Sequence, residues 1–143
     1  MPFDINMAYN LVIQACNDPY IGYSQPQRTS IQLGVNYRTY CDCASLMAWA
    51  CYQAGAWPSN PWFSTIDEPT WLQQAGFTRM RADASPWQPG DILTHDEGSA
   101  EYGPYSHTEM VYQGTGGTSG YTMGAHGTNH GQTPFPDQVS IRT

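Results

Sequence analysis

The hydrophobic period of this chain changes once, near Gly90, and that change limits its fold more than any composition figure does. Ahead of it, apolar residues recur at helical spacing. Met7, Ala8, Leu11, Val12 and Ala15 predict a helix from Ile5 to Cys16, with Asp4 as its N-cap and Asn17-Asp18-Pro19 as its stop. Residues 19–42 read as irregular, broken by Pro19, Gly22, Pro26 and Gly34. Leu46, Met47, Ala50, Cys51 and Ala54 predict a second helix from Cys43 to Ala54, with Gly55 placed to end it. A loop rich in proline and tryptophan (Trp57 to Trp62) leads to a short third helix, Pro69 to Ala75, closed by Gly76. Beyond Gly90 the pattern alternates, and Asp91–Thr94, His107–Gln113, Gly120–His126 and Gln138–Arg142 are the expected strands. Helices first and antiparallel strands afterwards define an α+β chain, with N-terminal helices packed on a sheet of about 4–6 strands.

Composition narrows the function classes. The 143 residues carry 12 acids against five bases, all arginine, for a net charge of -7. Nucleic acids and anionic membranes demand a basic surface, so neither is expected as a partner. Polar residues interrupt every apolar run, which excludes a membrane-inserted helix. The first basic residue is Arg28, so no secretory signal is expected and synthesis in the cytoplasm is. Four cysteines (Cys16, Cys41, Cys43 and Cys51) match neither a zinc ribbon nor a disulfide framework, and free thiols are expected.

Two constellations could carry chemistry. Cys43 stands where an irregular segment becomes a helix, and the exposed N–H groups and positive dipole end at such a place favour thiolate over thiol. A thiolate is what attacks a carbonyl; the competing reading is a small buried residue at the head of the helix stripe. The second constellation is a histidine pair. A tight turn at Gly116-Gly117 would make His107 and His126 cross-strand partners on one face, with Cβ atoms about 5 Å apart. That arrangement suits a base and an orienting partner, and it depends on register. The alternatives are two polar residues on a solvated face, or metal ligation among His95, His107, His126, His130 and Cys43. No pair of these has short zinc-motif spacing, so no metal is expected. The acids Asp67, Glu68, Asp96, Glu97, Glu101 and Glu109 show no paired pattern and are expected to be solvated.

Four segments, taken in order, resemble the NlpC-type cell-wall peptidases, a papain-like cysteine peptidase family. Tyr40-Cys41-Asp42-Cys43-Ala44-Ser45-Leu46 resembles its nucleophile box, although Ala44 stands where serine is usual. Trp87-Gln88-Pro89-Gly90-Asp91-Ile92-Leu93 is similar to its Pro-Gly-Asp-Leu strand, and His107-Thr108-Glu109-Met110-Val111-Tyr112 to the strand with the general base. Ala125-His126 falls where the family places its third polar residue, and Gly22-Tyr23-Ser24 resembles the segment whose tyrosine serves the oxyanion hole. The insertion from His95 to Ser106 is similar to that of the phage-lysin branch, the phage amidases.

The resemblance implies one papain-like catalytic domain over residues 1–143, a peptidoglycan hydrolase that cuts an amide bond in the murein stem without a cofactor. It implies Cys43 as nucleophile, His107 as base and His126 as third residue, with Asn129 and His130 competing for that place. Tyr23 and the Cys43 backbone N–H are then the oxyanion donors. Trp57, Trp62, Trp71 and Tyr102 are candidate cleft aromatics, with packing as the competing reading, and Glu101 or Glu109 could meet a diamino acid's amine. The expected setting is a phage endolysin or tail lysin with bacteriolytic action, reaching the wall by holin-type release, virion delivery or injection. Its net charge of -7 leaves wall adhesion to a separate wall-binding domain. The alternatives are an injected antibacterial amidase toxin guarded by an immunity protein, and a non-catalytic peptidoglycan-binding module.

Overall fold

A computed structural model describes residues 3–81, 84–95, 107–117, 119–126 and 138–142. Helix α1 (Ile5–Cys16) opens the fold. Asp4 caps it by accepting from the Met7 N–H at 3.2 Å, and Ala8, Val12 and Ala15 bury its inner stripe. Met7, on the expected stripe, stays exposed. Two three-residue strands follow, β1 (Ile21–Tyr23) and β2 (Thr39–Cys41), paired in parallel with Tyr23 opposite Cys41. They fall within the segment expected to be irregular. Three residues are too few to display an alternating pattern between glycines and prolines, so the pairing left no sequence signal.

Helix α2 (Cys43–Gln53) starts one residue after β2. Every residue from Cys43 to Cys51 is buried, so the helix is enclosed on all sides rather than along one stripe. Small residues permit this close approach: Ala44, Ser45, Ala48, Ala50 and Cys51 alternate with Leu46, Met47 and Trp49. Helix α3 (Glu68–Gln74) begins one residue earlier than expected. Trp57 packs edge-on against both Phe63 and Trp71, and its indole N–H donates to the Trp71 carbonyl at 3.2 Å. The packing reading therefore holds for Trp57 and Trp71, whereas Tyr102 lies outside the described residues.

Strands β3 (Ile92–His95), β4 (His107–Gly117), β5 (Ser119–Ala125) and β6 (Val139–Arg142) form a four-stranded antiparallel sheet in that order. The molecule is α+β, with α1 and α2 packed against this sheet. No helix among the described residues is long and apolar enough to cross a membrane.

The β4–β5 hairpin differs from expectation at its tip. Its last pair is Gly117 with Ser119, so Gly116-Gly117 lies within β4 and is not the turn. Two register shifts, between Val111 and Gln113 and between Gly114 and Gly117, absorb the difference. Met110 then faces Met123 and Val111 faces Thr122, which is the register that sets His107 toward His126.

Candidate active site

The loop-to-helix junction at Cys43 is tightly built. Asp42 Oδ1 accepts from the Ser45 N–H at 2.7 Å while the Ser45 hydroxyl accepts from the Asp42 N–H at 2.8 Å, a reciprocal capping box. Arg28 fixes the other carboxylate oxygen, Nε to Oδ2 at 2.7 Å, and donates to the carbonyls of Trp62 (2.8 Å) and Phe63. One guanidinium thus ties the helix start to the loop carrying Trp62. Cys43 is the first residue inside this capped turn and is 7% exposed.

All four cysteines are free thiols. Burial pushes the Cys16 thiol up to about 12 and lifts Cys41 and Cys51 as well. These three stay protonated near neutral pH. Cys41, two residues before Cys43, is fully buried in β2 and is no substitute nucleophile.

His107 opens β4 in polar contact with Cys43. Its side chain is 35% exposed, so solvent reaches the pair from this edge. Burial alone would depress its pKa, but the contacts with Cys43 and Glu109 and their negative charge outweigh that and push it up to about 9. Thr108 anchors the same strand by donating to Glu68 Oε2 at 2.9 Å. Glu68, expected to be a solvated charge, is instead fully buried as a brace between α3 and β4.

Glu109 is the second corrected acid. Two residues after His107, it shares that residue's face of β4. Its Oε1 lies 3.5 Å from His107 Nε2 and 3.4 Å from His126 Nε2, and its Oε2 accepts from the Thr122 hydroxyl at 3.0 Å. Burial raises its pKa, yet His107, His126 and Thr122 outweigh burial and hold it below the ordinary 4.5, so it is ionised. Gly124 leaves room for it: a Cβ there would stand 3.1 Å from Glu109 Cγ.

His126 follows β5, with its ring centroid 5.6 Å from that of His107. The pair does face across the strands, but Glu109 lies between their Nε2 atoms. Burial, ahead of the opposing Glu109 charge, lowers His126 to about 4, and the ring is neutral at pH 7. Its backbone N–H donates to the Gln138 carbonyl, while the Gln138 side chain accepts from the Tyr23 N–H at 2.9 Å. Gln138 therefore holds β1 beside the His126 strand, a link without a sequence signal. Tyr23 is half-buried; its hydroxyl accepts from Gln25 at 2.8 Å, and burial raises its pKa, with Cys43 among the nearby groups that add to the rise.

Asn129 and His130, like Glu101, Asp96 and Glu97, lie outside the described residues. A groove of about 920 Å³, lined by residues including Leu72, Phe77, Met80, Trp87 and Ile92, contains none of Cys43, His107 and His126. Concavity and reactive groups point to different places, and reactivity is the stronger guide because it requires the specific arrangement found here. Compared with family models, with curated proteins and with solved structures, the chain matches none.

Proposed function

We propose that the chain is a papain-like cysteine peptidase or amidase that cleaves an amide bond in the murein stem peptide. The observation that carries the chemistry is the contact between Cys43, at a helix start, and His107, whose ring also faces an ionised carboxylate. Peptidoglycan as substrate rests on the resemblance of the Cys43, Pro89-Gly90-Asp91, His107 and His126 segments to the NlpC-type enzymes.

The proton shared by Cys43 Sγ and His107 rests on the ring, which is stable in its charged form, and the thiolate attacks the carbonyl carbon of the scissile amide. The negative oxygen of the tetrahedral intermediate is met by the Cys43 backbone N–H and the Tyr23 hydroxyl, donors of a kind worth about 3 kcal/mol each. His107 then gives its proton to the leaving amine, which departs with the C–N bond broken. Water, deprotonated by the same imidazole, attacks the thioester, releasing the carboxylate and restoring the thiol. Glu109 holds the ring in place and stabilises its charged form. With a net charge of -7, attachment to an anionic wall falls to a wall-binding module, and delivery is by lysis, by the virion or by injection.

Purified walls incubated with the protein test this reading. Soluble muropeptides should appear with the unaltered chain and vanish with Cys43→Ala, and folded Cys43→Ala that still releases them would remove Cys43 from the chemistry.

A further inference from the structure

We infer that His107, Glu109 and His126 form a binding site for a divalent transition cation of the zinc class, and that its occupation switches off Cys43. Three observations carry this. First, Nε2 of His107, Oε1 of Glu109 and Nε2 of His126 converge, with no two donor atoms more than 4.8 Å apart. Two ligands each about 2.0–2.1 Å from a tetrahedral zinc lie about 3.4 Å apart. The two separations from Glu109 Oε1 are 3.5 and 3.4 Å.

Second, Glu109 Oε1 and His126 Nε2 are both buried without a hydrogen-bond partner. The His126 side chain is only 9% exposed, and its Nε2 lies 3.4 Å from the carboxylate oxygen with no hydrogen bond between them. Two buried polar atoms left this close without a hydrogen bond are costly unless a cation joins them.

Third, the outer atoms of Glu109 and His126 are already held. The His126 ring hydrogen-bonds the Ser140 backbone; because its Nε2 has no partner, that bond belongs to Nδ1. Glu109 Oε2 is fixed by Thr122. Histidine ligands that donate their other N–H to a carbonyl, beside an oriented carboxylate, are what a transition-metal site requires. Two imidazoles and one carboxylate form a borderline donor set suited to zinc and leave a position open.

The site exists or fails independently of the hydrolase reading; its regulatory consequence rests on that reading. A metal at His107 Nε2 takes that nitrogen's lone pair, and the charged ring releases one proton to solvent as it binds. The neutral ring keeps its remaining proton on Nδ1 and has no lone pair for the Cys43 thiol. Zinc and proton transfer therefore exclude one another, and removal of the metal restores the base.

Binding is measured on Cys43→Ala protein freed of metal, by calorimetric titration with Zn²⁺ and by visible spectroscopy with Co²⁺. One equivalent should bind, with the cobalt bands of a four- or five-coordinate site, and His126→Gln or Glu109→Gln should each weaken affinity at least about tenfold. On the unaltered chain, saturating Zn²⁺ should lower wall hydrolysis by about 10²-fold, the usual contribution of a general base, and EDTA should restore it. Absence of stoichiometric binding to folded Cys43→Ala protein overturns the inference, as does unchanged affinity in both folded variants. Zinc binding in a chain that never releases muropeptides would sink the hydrolase and leave the site, whereas hydrolysis indifferent to zinc would sink the switch alone.

Discussion

Glu109 Oε1 stands 3.5 Å from His107 Nε2, on the same face of the same strand, and together with Cys43 makes the histidine's charged form the stable one. The residue expected to orient His107 is His126, and the structure puts a carboxylate between the two rings. A neutral His126 cannot supply the negative charge that holds a proton on His107; an ionised Glu109 can. In the proposed mechanism Glu109 is then a positioning residue acting through the base.

Glu109→Gln should lower kcat about 10²-fold with little change in KM, because the substituted group acts on the base rather than on the substrate. The His107 pKa, about 9 beside Glu109, should fall, so the alkaline limb of the pH–rate profile moves to lower pH. Steady-state kinetics over pH 6–10 measures both effects. A profile displaced only in height would assign Glu109 to the fold.

The two histidines should shape stability in opposite directions. His126 titrates near 4 in the folded chain against an ordinary 6.5, so its contribution is complete above pH 6.5 and is lost as pH falls toward 4. His107 is raised, so its contribution is present below pH 6.5 and is lost as pH rises through 9. Between pH 7.5 and 5 His107 gains part of what His126 loses, so urea denaturation at both pH values should show the His126 contribution as a difference, the unaltered chain losing on the order of 1–3 kcal/mol relative to His126→Gln.

Arg28→Ala should destabilise the fold by about 2–3 kcal/mol, because it leaves Asp42 and two loop carbonyls without their shared donor. Arg28→Lys should recover little of that, since an ammonium cannot reach all three acceptors in one plane. Denaturant midpoints would show it.

Among the four thiols, only Cys43 should be alkylated in the folded protein. Cys16, Cys41 and Cys51 are held protonated by burial, whereas Cys43 touches a base at the solvent edge. Peptide mapping after brief iodoacetamide treatment should find the label on Cys43, at a rate that falls in His107→Ala.

Much of this arrangement was legible in the chain. The Asp4 cap, the glycine stops at Gly55 and Gly76 and the change of period at Gly90 located the helices and strands within a few residues, because those signals are local. The facing of His107 and His126 was read through a Gly116-Gly117 turn that does not form; the structure recovers that register through two irregularities in β4. Bulges depend on how strands twist against their neighbours, which no local pattern encodes. Glu109 had a signal that went unused: it lies two residues from His107 on an alternating strand, so it had to share the histidine's face. Glu68 had none, because its burial depends on where α3 docks relative to Thr108. The parallel β1–β2 pair and the Gln138 link join residues far apart in sequence, and only the tertiary fold reveals them.

In the proposed reaction the sulfur of Cys43, with His107 as its proton partner, breaks an amide in the murein stem. The decisive experiment is mass spectrometry of muropeptides released from purified walls. Fragments with one new amine and one new carboxylate at a single type of bond are expected from the unaltered chain and not from folded Cys43→Ala. Intact stem peptides after incubation with the active chain, or identical fragments from both proteins, would contradict that reaction.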